Sequence, residues 1–163
     1  MPLDATLEPY LWRSLSRFLE AAVAPRILFA PGYAQAAEPG LEEWFAIWPM
    51  TVRPKGRPRG RLAGAALFQV SCFAKTREHR ADAIADAPWI LAGVARNALE
   101  RKDVLILGPD GVSLLGVLTV GVADEEYLGE NALEYSGREG VPDVPKFVHA
   151  VALTFSGAIN SAP

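Results

Sequence analysis

The chain has 163 residues, 50% hydrophobic and 21% charged, which is enough for one globular domain that buries about 70% of its unfolded surface. Sixteen Lys and Arg against nineteen Asp and Glu leave a net charge of −3, which excludes a uniformly basic nucleic-acid binder and a polybasic membrane-surface protein. The single cysteine, Cys72, cannot close an internal disulfide or supply a cysteine zinc site, and fits maturation in a reducing cytoplasm.

The first twenty residues carry acidic side chains and an amphipathic period where an export signal has a basic start and an unbroken apolar run. No window approaches the roughly 20 uninterrupted apolar residues that span a bilayer, so a soluble protein is expected. Leu7, Tyr10, Leu11, Ser14, Leu15, Phe18, Leu19 and Ala22 recur at three- and four-residue spacing, which predicts a first helix. Asp4 or Thr6 is its candidate cap, and Pro25 ends it at or before Ala24. A loop rich in Pro, Gly and Ala follows.

Trp44–Val52 is dense in aromatic and branched residues and predicts a strand with Trp44, Ala46, Trp48, Met50 and Val52 on one face. Pro49 cannot donate to a ladder, which calls for an edge position or a bulge there. Ala66–Ala74 predicts a second strand with Phe68, Val70 and Cys72 sharing a face. Between the two strands lies VRPKGRPRGR, in which Arg53, Lys55, Arg57, Arg59 and Arg61 occupy alternate positions and Pro and Gly fill the rest. In an extended chain that spacing puts all five charges on one side, so the pair of strands reads as a long hairpin with a basic tip.

Glu78–Arg101 predicts a second helix with Ile84, Pro88, Leu91, Val94, Ala95 and Ala98 on one stripe. A kink at Ala87 is preferred over a new helix started by Pro88. Val104–Leu107 and Val112–Val122 flank Gly108-Pro109-Asp110-Gly111, a tight turn and a second hairpin. Residues 123–146 read as an acidic loop with a helical turn or two, in which Asp124, Glu125, Glu126, Glu130, Glu134, Glu139 and Asp143 face only Arg138 and Lys146. Phe147–Phe155 alternates as a last strand, and SGAINSAP reads as a frayed tail. The expected fold is α+β, an antiparallel or mixed sheet of about five strands with two main helices packed on one face.

Catalytic signatures are weak. Cys72 sits mid-strand among apolar residues and reads as a buried small hydrophobe rather than a nucleophile. His149 alternates with apolar residues as a hydrogen-bonded core or edge histidine, and His79 lies among charges. No HxxxH, HExxH or CxxC spacing supports a metal, and no GxGxxG, P-loop or GxSxG motif occurs. Trp44, Phe45 and Trp48 read as core packing, with any exposed member an interface anchor. The basic run is the main functional signal, because clustered Arg repels itself in an isolated chain and suits bidentate contact with carboxylate or phosphate. Residues 53–61 carry +5 and residues 123–146 carry −5, opposed patches that would let copies join head to tail.

The amphipathic first helix, the aromatic strand EEWFAIWPMTVRP, the basic turn running into RLAGAALFQVSCFAKTREHRADAIADA and the closing VPKFVHAVALTFSG together resemble the tail terminator (tail-completion) proteins of long-tailed bacteriophages. The resemblance implies a ring-forming structural protein, a hexamer on the last ring of the tail tube. Such a ring stops tube polymerisation and presents a surface for head-tail joining. It implies a virion location at the head-proximal end of the tail, with assembly in the host cytoplasm, and no catalysis or cofactor. The implied partners are further copies, the tail tube protein, a head-tail connector or neck protein and, in transit, DNA in the channel. On this reading Arg53, Lys55, Arg57, Arg59 and Arg61 are the partner interface, and Asp124, Glu125, Glu126, Glu130 and Glu134 are candidate ring contacts. The alternatives are another neck connector or stopper and, from a different class, a nucleic-acid-binding module that uses the basic hairpin.

Overall fold

The computed structural model describes residues 7–23, 42–54, 63–76, 87–132 and 147–161. The elements in chain order are α1 (Leu7–Val23), β1 (Glu43–Pro54), β2 (Ala63–Thr76), α2 (Ala87–Leu99), β3 (Asp103–Leu107), β4 (Leu114–Val120), β5 (Asp124–Ala132) and β6 (Phe147–Ser161). The six strands form one antiparallel sheet in the order β1-β2-β6-β4-β3, with β5 also paired to β6. This is the expected α+β architecture, with two described helices on one face.

β6 organises the sheet. One edge pairs with β2 from Phe147 to Asn160, and the other pairs with β5 over Phe147–Thr154 and with β4 over Gly157–Ser161. β4 and β5 therefore lie end to end along one edge of β6, joined through Gly121–Ala123, where the Gly121 N–H still donates to the Ser156 carbonyl at 2.7 Å. The segment SGAINS, expected to fray, is the second half of this central strand. The Cβ of an alanine at Gly157 would stand 2.9 Å from the Thr119 carbonyl oxygen and 2.6 Å from Leu118 Cδ1, so the missing side chain is what lets β4 and β6 approach.

The first part of the expected acidic loop is also corrected, because Asp124–Ala132 is a strand, and residues 133–146 lie outside the described residues. Acidic residues and glycine weaken its local β signal, and a bulge between Tyr127 and Gly129 breaks its alternation, with Gly129 at φ 112°. Its strand character comes from β6, a partner distant in sequence.

In β1 the bulge falls between Pro49 and Thr51 and the strand is a sheet edge, as the proline requires. The bulge reverses the side-chain phase. Trp44, Ala46 and Trp48 stay together, while Val52 pairs with Ala66 and joins the helix-side core rather than sharing their face. α2 is described from Ala87 with Pro88 in its first turn, where a missing N–H costs no helical bond, and the expected helix from Glu78 up to the Ala87 kink lies outside the described residues. Its C-terminus turns into β3 through Arg101 at φ 57°, a left-handed cap more often taken by glycine.

The helix-side core joins Leu11, Leu15, Leu19 and Val23 of α1 with Leu91, Ala95 and Leu99 of α2 over the inward faces of the strands. On the α1 stripe Ala22 proves exposed, and Val23, one position on, is buried. Phe68 and Phe155 stack at 5.2 Å beneath the helices, and Trp12 meets Phe68 edge-on. Each such fully buried side chain contributes about 1.5–3 kcal/mol of transfer free energy. The other face of the sheet carries a smaller cluster of Trp44, Ala46, Phe73, Val148 and Ala150, in which Trp44 stacks on Phe73 at 5.0 Å.

The β3–β4 turn matches its sequence. The Gly111 N–H donates to the Gly108 carbonyl at 3.0 Å, with Pro109 and Asp110 between them. The Asp110 carboxylate accepts from the N–H groups of Val112 and Ser113 and from the Ser113 hydroxyl, bonds that lower its pKa to about 2. Since the native pKa lies below the unfolded value, the carboxylate stabilises the native state above the unfolded pKa, and the contribution is lost as pH falls towards 2. The stability gap between wild type and Asp110→Ala is therefore expected to be flat above about pH 4 and to close below it, as read by urea denaturation across pH. In the same assay Gly157→Ala is expected to cost about 1–3 kcal/mol at neutral pH, because a backbone carbonyl has to move.

Candidate functional site

Polar groups on the helix side gather where the C-terminal turn of α2 meets the β4–β5 junction. β3 ends its pairing at Asp103 opposite Thr119, so the outward backbone groups of Ala123 have no neighbouring strand among the described residues. Arg96 of α2 and Glu100, just past its end, replace it. The Ala123 N–H donates to Glu100 Oε1 at 3.0 Å, and Arg96 Nη2 donates to the Ala123 carbonyl at 3.2 Å. Arg96 Nη2 also pairs with Glu125 Oε1 at 2.9 Å. Arg96 Nε lies 2.9 Å from Glu100 Oε1 but is not aligned for a hydrogen bond, so that contact is electrostatic only.

Glu125 and Tyr127 project on the helix side of β5, opposite Leu153 and Val151 of β6. Cys72 pairs with Val151 from the other side and is fully buried. Burial, with the Glu125 carboxylate adding to it, pushes the Cys72 thiol far above its usual range, so it stays protonated and packs as a small apolar group. His149 is also fully buried on this face. Its Nδ1 bonds the Tyr127 hydroxyl at 2.9 Å and its Nε2 bonds the Thr76 hydroxyl at 3.0 Å. It is the hydrogen-bonded core histidine that its alternation predicts, and it ties β2, β5 and β6 together. His79 lies outside the described residues, and among those described no group of His, Cys, Asp or Glu is placed to hold a metal ion.

Of the two charged stretches the structure describes one end each. Arg53 is exposed at the end of β1, one edge strand, while Lys55, Arg57, Arg59 and Arg61 lie outside the described residues. Asp124, Glu125, Glu126 and Glu130 all belong to β5, and Glu134 lies outside the described residues. Asp124 and Glu126 are exposed on the face away from the helices, and Glu125 points to Arg96. The expected aromatic group divides between the two faces: Phe45 in the helix-side core, Trp44 buried in the opposite cluster and Trp48 half-buried against it.

Sequence reasoning missed the outer face of α2, where Trp89 and Ile90 are 39% and 57% exposed. The signal was present in APWILAGVA, nine residues without a polar side chain, since a helix that is apolar all round is normally buried all round. It also missed the Arg96–Glu100 clamp, whose spacing reads as an ordinary surface pair.

No helix among the described residues is long and apolar enough to cross a membrane. Replacing Arg96 with Met is expected to cost about 1–2 kcal/mol, because the Ala123 carbonyl loses its donor and Glu100 and Glu125 lose their shared cation, in a side chain 33% open to water. Urea denaturation would show it. No protein-family model matches the chain, and no curated protein matches it.

Proposed function

We propose that the protein is a tail terminator of a long-tailed bacteriophage, a structural protein whose copies form a hexameric ring on the end of the tail tube. The observation that carries this reading is one sheet backed by helices that holds an acidic strand, β5, and an edge strand, β1, whose exposed Arg53 opens the basic run of the sequence. Stretches of unlike charge favour contact between different surfaces of neighbouring copies, the heterologous contact from which closed rings are built. The sequence resemblance supplies the place of that ring, at the head-proximal end of the tail.

Capping of this kind uses binding energy alone. Subunits that associate weakly when free are held together on a tube end, because each new contact there forms at high effective concentration. The completed ring stops further addition of tube protein and offers the surface to which the head connector or neck protein joins. The Arg residues of 53–61 suit acidic protein surfaces at that joint, since bidentate Arg–carboxylate pairing fixes orientation as well as affinity.

Purified protein added to polymerising tail tube protein is expected to arrest elongation and leave a ring at one tube end in electron micrographs. Tubes that grow to the same length with and without the protein would overturn the proposal.

A further inference from the structure

We infer that Asp110–Gly111, at the tip of the β3–β4 hairpin, is a site of spontaneous aspartate isomerisation that the native turn holds closed. In this reaction the backbone nitrogen of the following residue attacks the aspartate Cγ. The nitrogen gives up its proton, one carboxyl oxygen leaves as water, and a five-membered succinimide ring forms. Water then adds back, and addition at the backbone carbonyl leaves the chain running through Cβ and Cγ as isoaspartate. The water lost is the water regained, so no other reactant is needed.

The sequence supplies the reactants. Asp110–Gly111 is the only Asp-Gly pair in the chain, and no Asn-Gly occurs. Glycine hinders the attack least, because it sets no side chain beside the nitrogen. Asp110 is exposed, and a Cβ built at Gly111 would meet only Arg17 Nη1, at 3.9 Å.

The structure supplies the lock. The Gly111 N–H donates to the Gly108 carbonyl at 3.0 Å. An imide nitrogen has no proton to donate, so the ring cannot form without breaking the bond that closes the turn. Asp110 Oδ1 accepts from the N–H groups of Val112 and Ser113 at 3.0 and 2.8 Å, and Oδ2 accepts from the Ser113 hydroxyl. One of those oxygens has to leave as water, which removes its bonds as well. The Gly108 N–H donates to the Ser113 carbonyl at 2.8 Å and keeps Ser113 beside the carboxylate.

Ionisation acts in the same direction. A carboxylate is a poor electrophile, and its oxygen leaves only once protonated. The turn bonds lower the Asp110 pKa from 3.8 to about 2, so above pH 4 the neutral acid is about 60-fold rarer in the native turn than in an open chain. Arg17, the charged neighbour from α1, is a cation and does not favour the neutral acid either. The product does not refit the turn. IsoAsp adds a backbone carbon to a loop whose base is the Leu107–Leu114 pair and draws the carboxylate away from Val112 and Ser113.

The test follows isoaspartate at position 110 in the full chain at about pH 5, folded in buffer and unfolded in urea, with fragment-ion mass spectrometry of tryptic peptides to place it. The folded protein is expected to isomerise at least about tenfold more slowly than the unfolded chain. Ser113→Ala removes one hydroxyl from an exposed side chain, and circular dichroism checks that it is folded. It is expected to isomerise about fivefold faster than folded wild type and at the wild-type rate in urea. Asp110→Glu, which is limited to a slower six-membered ring, sets the background. Equal rates in folded and unfolded wild type, or a folded Ser113→Ala no faster than wild type, would overturn the lock. An unfolded chain no faster than Asp110→Glu would overturn the site itself.

Discussion

The structure depends on β6 being paired along both edges. Its first half is held between β2 and β5 and its second between β2 and β4, so the four strands can be placed only together. Side chains at alternate positions of β6, from His149 through Val151, Leu153 and Phe155 to Ile159, form the floor on which both helices sit. The polar member of that row is accommodated because Tyr127 and Thr76 bond both ring nitrogens, which removes the cost of burying an imidazole without partners.

A sheet built round one central strand has edges to manage, and the chain treats them differently. At β3 the Ser14 hydroxyl of α1 accepts the Leu107 N–H at 3.0 Å, so the helix covers part of that edge. At the β4–β5 junction Arg96 and Glu100 stand in for a strand. Along β5 the devices are carboxylates and a bulge, which deter pairing with a like strand. The first two satisfy backbone groups directly, whereas the third acts through repulsion and a break in the ladder.

Much of this was legible in local pattern. The α1 stripe, the alternation of Phe68, Val70 and Cys72, the Pro49 bulge and the Gly-Pro-Asp-Gly turn are each specified by residues within a few positions of one another. Where the reading failed, the deciding neighbour was distant. SGAINS looks like a tail because small and polar residues carry no burial signal. Gly157 is small because Leu118 and the Thr119 carbonyl, nearly forty positions earlier, occupy the space beside it. DEEYLGENA looks like a loop because its residues disfavour strands, and only its ladder with Phe147–Thr154 makes it one. Of the candidate site, the charges were legible and the seat of Asp124–Glu126 on a strand beside β6 was not, since strand order is a property of the sheet.

The buried polar groups serve the same architecture. Ser14 accepts the Leu107 N–H, Ser71 takes a long bond from Gln69, and His149 is bonded on both sides. Cys72 is held as a neutral thiol by its surroundings. Each of these side chains is committed to holding strands and helices in place. Among the described residues, exposed charged and apolar side chains lie outside, in Asp124 and Glu126 of β5, Arg53 of β1 and the pair Trp89 and Ile90 of α2. That distribution, hydrogen-bonded polar groups within and charged or apolar ones at the rim, keeps the described interior intact without drawing on its surface.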